Sequence, residues 1–193
     1  MKRAALVLFL ACAAVSCRTA RPVGAPIAPL TSSTTEDAAA QLRERRASFR
    51  GVRSLMRVRA TTNGNTQSFR AQLAVHDAQR MELVAYTPVG TTALTLEANG
   101  NQVTTDPDVP PESFAFLRAA GLTPAETAML LLGLPPRDDV RVTLAPTGIA
   151  SASAGELTVT YEPPSFPAQR VIVTRGNDRV ELDHLEVVQA SRL

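Results

Sequence analysis

The chain has 193 residues, 45% of them apolar, and a formal net charge of +2. That length supports one domain with a real core. Lys2 is the only lysine and aromatic residues make up 4% of the chain, which argues against a nucleic-acid surface built from basic clusters and stacking rings.

Met1-Lys2-Arg3 is a short cationic start, and Ala4 to Val15 is uncharged and apolar. That run is too short for a membrane-spanning helix, which needs roughly 20 residues, but it suits a secretory signal. The segment ends Ala14-Val15-Ser16-Cys17, which resembles a bacterial lipobox. The resemblance implies a signal peptide over residues 1–16 and a palmitate-type acylated Cys17 as the lipid anchor. Cys12 and Cys17 are the only cysteines, so the processed chain has a single thiol, and acylation accounts for it. Several acyl chains on one residue give stable anchoring. Arg18 stands where an aspartate marks inner-membrane retention in similar lipoproteins. Its presence implies sorting to the outer membrane, facing the periplasm.

Residues 17–34 are rich in Pro, Ser, Thr and Ala without apolar periodicity and read as the lipidated Cys followed by a flexible tether; residues 35–193 form the single domain. Residues 18–70 hold ten arginines and three acids, whereas 71–193 hold eight arginines and fifteen acids. The basic stretch either attracts anionic head groups or an acidic partner, or forms solvated outer faces.

A helix is expected over Thr35 to Phe49, capped by Thr34 or Thr35 and stopped at Gly51. The period then falls to two. Met56, Val58 and Ala60 share one face of a strand. Asn63-Gly64 is a hairpin signal, and Phe69, Ala71, Leu73 and Val75 alternate with polar residues. Met81 to Leu96 is a strand pair around Pro88-Val89-Gly90, with Leu94 and Leu96 on one face. Proline presets φ and glycine permits positive φ, which leaves the apolar Val89 at a turn tip that should be wet. Asn99-Gly100-Asn101 turns the chain into a strand at Gln102 to Thr105.

Two short helices follow, Glu112 to Ala120 and Ala125 to Leu132, the second opened by the capping box Thr123-Pro124-Ala125-Glu126. Met129 to Leu132 are consecutive apolar residues, so that helix must be buried or cover an apolar cavity. Strands at Val140–Ala145, Glu156–Glu162, Arg170–Arg175 and Val180–Val188 complete the chain. The expected fold is mainly β (α+β): an unclosed antiparallel half-barrel with an N-terminal helix and a two-helix insertion over its concave apolar face.

Three segments in order resemble the LolB family of outer-membrane lipoproteins: Leu83 to Leu96 with its Pro-Val-Gly turn, Ala128 to Pro135, and the C-terminal hairpins with Phe166-Pro167-Ala168 and Gly176-Asn177. The resemblance covers roughly residues 40–190. It implies a half-barrel of about eleven strands whose interior accepts the acyl chains of lipoproteins from a periplasmic LolA-like carrier and passes them to the outer membrane. It also implies that the Pro88, Val89, Gly90 loop enters the membrane, with Val89 in the place of the family's usual leucine.

The cavity expected from the apolar stripes is lined by Met56, Val58, Phe69, Leu73, Leu94 and Leu96, with Phe114, Phe116, Leu117, Met129 and Leu132 from the helices. The competing expectation is a solid core, with the fold serving as a docking or scaffolding lipoprotein through Arg43, Arg46, Arg53, Arg57 and Arg59, or as a paralogue for another lipid. His76 and His184 each adjoin an aspartate, but neighbouring residues on a strand face opposite ways. No catalytic or metal constellation is legible, and no enzyme activity, cofactor or oligomer beyond a monomer is expected.

Overall fold

The computed structural model describes residues 24–190 apart from Asn63 and Ala120. Residues 1–16, read above as a signal peptide, and Cys17 lie outside the described residues. The elements are α1 (Thr35–Ala47), β1 (Val52–Thr62), β2 (Asn65–Val75), β3 (Arg80–Tyr86), β4 (Thr92–Asn99), β5 (Gln102–Asp106), a 3-10 segment (Pro111–Leu117), α2 (Pro124–Leu131), β6 (Arg141–Ala145), β7 (Gly148–Ala154), β8 (Leu157–Tyr161), β9 (Arg170–Arg175) and β10 (Asp178–Gln189).

All ten strands form one antiparallel sheet in the order β5-β4-β3-β2-β1-β10-β9-β8-β7-β6. Two meanders are therefore joined at the centre by the long strands β1 and β10. The edges β5 and β6 do not pair with each other, so the sheet remains open. This is the expected mostly β, unclosed half-barrel. The strand missing from the sequence reading is β7, Gly-Ile-Ala-Ser-Ala-Ser-Ala. Its small residues have little β preference, and pairing to β6 and β8 on both sides makes it a strand.

Burial explains the sheet's handling of its two faces. On β1, Met56 and Val58 are buried while Arg57 and Arg59 are exposed, the alternation that a half-buried strand requires. The inner face is filled by α2, every residue of which is buried. Thr123 caps it reciprocally with Glu126: the Glu126 amide donates to Thr123 Oγ1 at 3.1 Å and the Thr123 amide to Glu126 Oε2 at 2.9 Å. At its other end, the amides of Gly133 and Leu134 donate to the carbonyls of Leu130 and Met129. Gly133 makes this stop possible at φ +87°, a conformation that a side chain would strain, with Ser165 and Ala168 packed 3.1–3.3 Å from where a Cβ would stand. The first helix ends at Ala47 rather than Phe49, and the expected helix at Glu112 to Ala120 is a 3-10 segment ending at Leu117.

The segment expected to be a free tether is held to the domain from Ala25 onward. The Gln189 amide donates to the Ala25 carbonyl at 2.8 Å, Pro26 bridges to Val188, and the Leu30 amide donates to the Phe166 carbonyl at 2.8 Å. Leu30 is buried in the core and Ile27 packs against it. Two apolar side chains in a polar stretch give this strap enough burial to dock.

Candidate functional site: an apolar pocket and an exposed turn

The strand registers place four hairpin tips at one end of the sheet: 62–65, 87–91, 154–157 and 175–178. The turns at 76–79 and 99–102 lie at the opposite end. Contacts of α2 with β2, β3 and β4, together with the bond from Thr123 Oγ1 to the Ala78 carbonyl at 2.8 Å, anchor the start of the helix at that opposite end. Toward the tips the inner face is left uncovered by the helix, and a pocket of about 520 Å³ opens there.

Its floor is a ladder of cross-strand neighbours. Val58 stands opposite Phe69, Ala60 opposite both Gln67 and Val180, and Val180 opposite Val173. Leu157 adds to one wall, and Ala115 and Phe116 of the 3-10 segment close the other. The rim is polar: Thr62, Asn65, Gln67, Arg175 and Asp178. An apolar interior of this size under a polar rim matches sites that take the long apolar part of a small ligand.

Of the residues expected to line a cavity, Val58, Phe69 and Phe116 meet on this pocket. Met56, Leu73, Leu96, Phe114, Leu117, Met129 and Leu132 do not reach its wall and are buried in the continuous core around α2. Leu94 is half-buried near the β3–β4 tip. The difference arises because α2 packs directly onto the inner face instead of roofing a cavity above it. Ala60, Leu157, Val173 and Val180 were not expected on the wall; their alignment depends on β1 pairing with β10, a contact between the two ends of the domain.

Val89 is 73% exposed and, with Leu185 at 49%, is one of two exposed large apolar side chains among the described residues. The turn beneath it is firmly built. The Gly90 amide donates to the Thr87 carbonyl at 2.9 Å and the Thr87 amide to the Thr91 carbonyl at 2.8 Å. The two threonine hydroxyls bond at 2.7 Å, and Gly90 takes φ +87°. A register shift at Ala85/Tyr86 leaves Ala93 as an extra residue, and such a bulge bends a hairpin end. Thus Val89 is held out to solvent rather than folded onto Pro88 or Leu94, at the same end as the pocket mouth.

The arginines grouped as a docking surface are divided. Arg43 and Arg46 are on α1, which packs beside β6, and Arg46 bonds Asp138 at 2.7 Å. Arg53, Arg57 and Arg59 are on β1, five strand spacings from β6, or roughly 24 Å measured along the curved sheet.

His184 faces inward, away from Asp183. Its Nε2–H donates to the Leu131 carbonyl at 3.2 Å, which leaves Nδ1 to accept from Ser54 Oγ at 2.7 Å. Burial pulls its pKa down to about 4, opposed by the Leu131 carbonyl and the Asp183 charge. Ser54 is completely buried, so no substrate reaches its hydroxyl and the pair ties the sheet to the end of α2.

Residues 54–191 match the model of a family described as a protein of unknown function, DUF3261. No curated protein matches the chain. Among solved structures, the chain is similar to the LolA superfamily protein NE2245 of Nitrosomonas europaea, at 12% identity and TM-score 0.48 over 83% of this chain and 96% of that one. It is similar also to a domain assigned to an outer membrane lipoprotein-sorting protein of Vibrio parahaemolyticus, at 9% identity and TM-score 0.46 over 83% and 95%. A DUF1329 family protein of Desulfovibrio piger follows at 8% identity and TM-score 0.45 over 81% and 92%.

Proposed function

The chain belongs to the DUF3261 family, and from that premise we propose that it is a lipid-handling protein that takes an acyl chain into the pocket between β1, β2, β8, β9, β10 and the 3-10 segment. One observation carries this reading: the apolar pocket opens at the same end of the sheet as the exposed, rigidly held Val89. A chain leaving the pocket and an apolar residue entering a bilayer would then share one side of the molecule.

The more specific proposal is an acceptor of the LolB kind. Cys17 carries the acyl anchor in the outer membrane, the domain with its docked strap from Ala25 faces the periplasm as a monomer, and a LolA-like carrier delivers lipoprotein acyl chains. Pro88, Val89 and Gly90 then contact the bilayer during transfer. Among the described residues no helix is long and apolar enough to cross a membrane. At about 520 Å³ the pocket lies in the size range of small-ligand sites.

The test uses the full chain and a fluorescent acyl probe, with lipid recovery by native mass spectrometry. Uptake that is lost when the floor is filled by Ala60→Phe supports the pocket. No uptake and no co-purified lipid would remove it. In cells, depletion should make other lipoproteins accumulate short of the outer membrane; normal sorting would reject the acceptor role and leave a binding protein for another lipid.

A further inference from the structure

The outer face of the sheet carries an excess of cationic charge at its centre. Arg57 on β1 stands directly opposite Arg70 on β2, and Arg59 follows two residues along on the same face. All three are exposed. Like charges facing each other across a ladder destabilise the pair, and here they sit on central strands where nothing in the packing requires arginine.

The nearest acids offset only part of this charge, because other arginines share them. Glu181 and Asp183 lie opposite Arg59 and Arg57 on β10. Yet Arg170 Nη2 is 2.8 Å from Glu181 Oε2, Arg179 Nε is 3.0 Å from Glu181 Oε1, and Arg170 Nε is 3.8 Å from Asp183 Oδ1. Hydrogen bonds from Arg179 and Arg170 hold the Glu181 carboxyl below the usual range, as expected of a carboxylate already engaged. Glu186, opposite Leu55, is the next acid along the strand. Among the described residues, Arg57, Arg59 and Arg70 make no ion pair.

We infer that Arg57, Arg59 and Arg70 form a docking surface for the anionic head groups of a bilayer. Charge complementarity selects an anionic partner, and two neighbouring features select a membrane over an acidic protein. Leu185, the extra residue where the β1–β10 register shifts, is exposed beside this patch. Val89 projects beyond β3, whose last residue Tyr86 pairs with Arg70. Arginines between two exposed apolar side chains suit an interface where charge meets head groups and apolar groups enter the boundary. The choice of partner rests on reading Val89 as a lipid contact; the patch itself does not depend on the pocket.

The experiment is flotation of the full chain bearing Cys17→Ser, which removes any acyl anchor, with vesicles of phosphatidylcholine alone or mixed with phosphatidylglycerol. The expected result is stronger partition into the mixed vesicles, reduced on the order of a hundredfold by R57Q/R59Q/R70Q and collapsing at high salt. Partition into neutral vesicles should not change. Thermal melting should show the triple variant at least as stable as its parent, because it removes a repulsive pair. Equal partition of both proteins into anionic vesicles would overturn the inference. So would arginine-dependent binding of soluble polyglutamate without vesicle binding, which would assign the patch to an acidic protein. If Val89→Glu weakens binding to both vesicle types while the arginine changes do nothing, the tip reading survives and this one fails.

Discussion

The hydroxyl of Tyr161 on β8 donates to the backbone carbonyl of Leu130 on α2 at 2.6 Å, with both groups buried. Burial alone pushes the phenol's pKa well above its ordinary range, so the bond is neutral at any physiological pH. It fixes the inner helix against the C-terminal meander, while Thr123 Oγ1, bonded to the Ala78 carbonyl, fixes the same helix against the N-terminal one. Tyr161→Phe should cost about 1 kcal/mol. The loss stays small because the Leu130 carbonyl also accepts from the Gly133 amide at 2.9 Å. Urea titration of both proteins measures it; a cost several times larger would mean that the helix end moves.

His184 gives the fold a pH dependence of known sign. The unfolded chain takes up a proton near pH 6.5, whereas burial delays uptake in the folded state to about pH 4. Between those values the unfolded state binds more protons, so stability falls as pH falls from about 6.5 to about 4 and is level above. The loss is on the order of 2–3 kcal/mol across the window, at about 1.4 kcal/mol per pH unit. Comparing melting curves of the natural chain and His184→Gln across this window isolates the contribution from that of the carboxylates. Parallel curves would show that the ring is not held neutral.

Ala60→Phe should abolish acyl-probe uptake with little change in stability. Ala60 lies on the pocket floor between Gln67 and Val180, so a larger ring enters open space rather than the packed core. By contrast, Leu73→Ala removes a fully buried side chain and should cost about 2–5 kcal/mol. Probe titration and chemical denaturation of both variants separate pocket from core.

Val89→Glu should leave stability within about 0.5 kcal/mol, as surface changes usually do, because the side chain touches solvent and the turn's hydrogen bonds are made by Thr87, Gly90 and Thr91. It should nonetheless weaken vesicle binding and lipoprotein delivery, since a charge entering a bilayer is costly. Val89→Leu should retain or raise both. Delivery unaffected by the glutamate would return the turn to hairpin chemistry.

Local signals carried much of the architecture. The capping box at Thr123 and Glu126, the hairpin glycines and the two-residue period of β1 and β2 each act over a few residues, so the sequence alone determined those elements and the open, mainly β class. It also determined that Val89 stands at a turn tip, because proline and glycine on either side permit little else. Longer-range questions were undecidable from local pattern. β7 has small residues and becomes a strand only between two partners. The stretch from Ala25 to Leu30 looks like linker and is docked by contacts with Val188, Gln189 and Phe166. The apolar stripe of β1 and β2 reads the same whether it faces a helix or a cavity. Tertiary structure divided that stripe: Met56 and Leu73 are buried in the core that includes α2, while Val58, Ala60 and Phe69 are left on the pocket. The pairing of β1 with β10, between segments more than a hundred residues apart in the chain, set the pocket floor, while the β1–β2 hairpin set the cluster of arginines on the opposite face. Periodicity states which way a side chain points, and only the assembled sheet decides what it meets there.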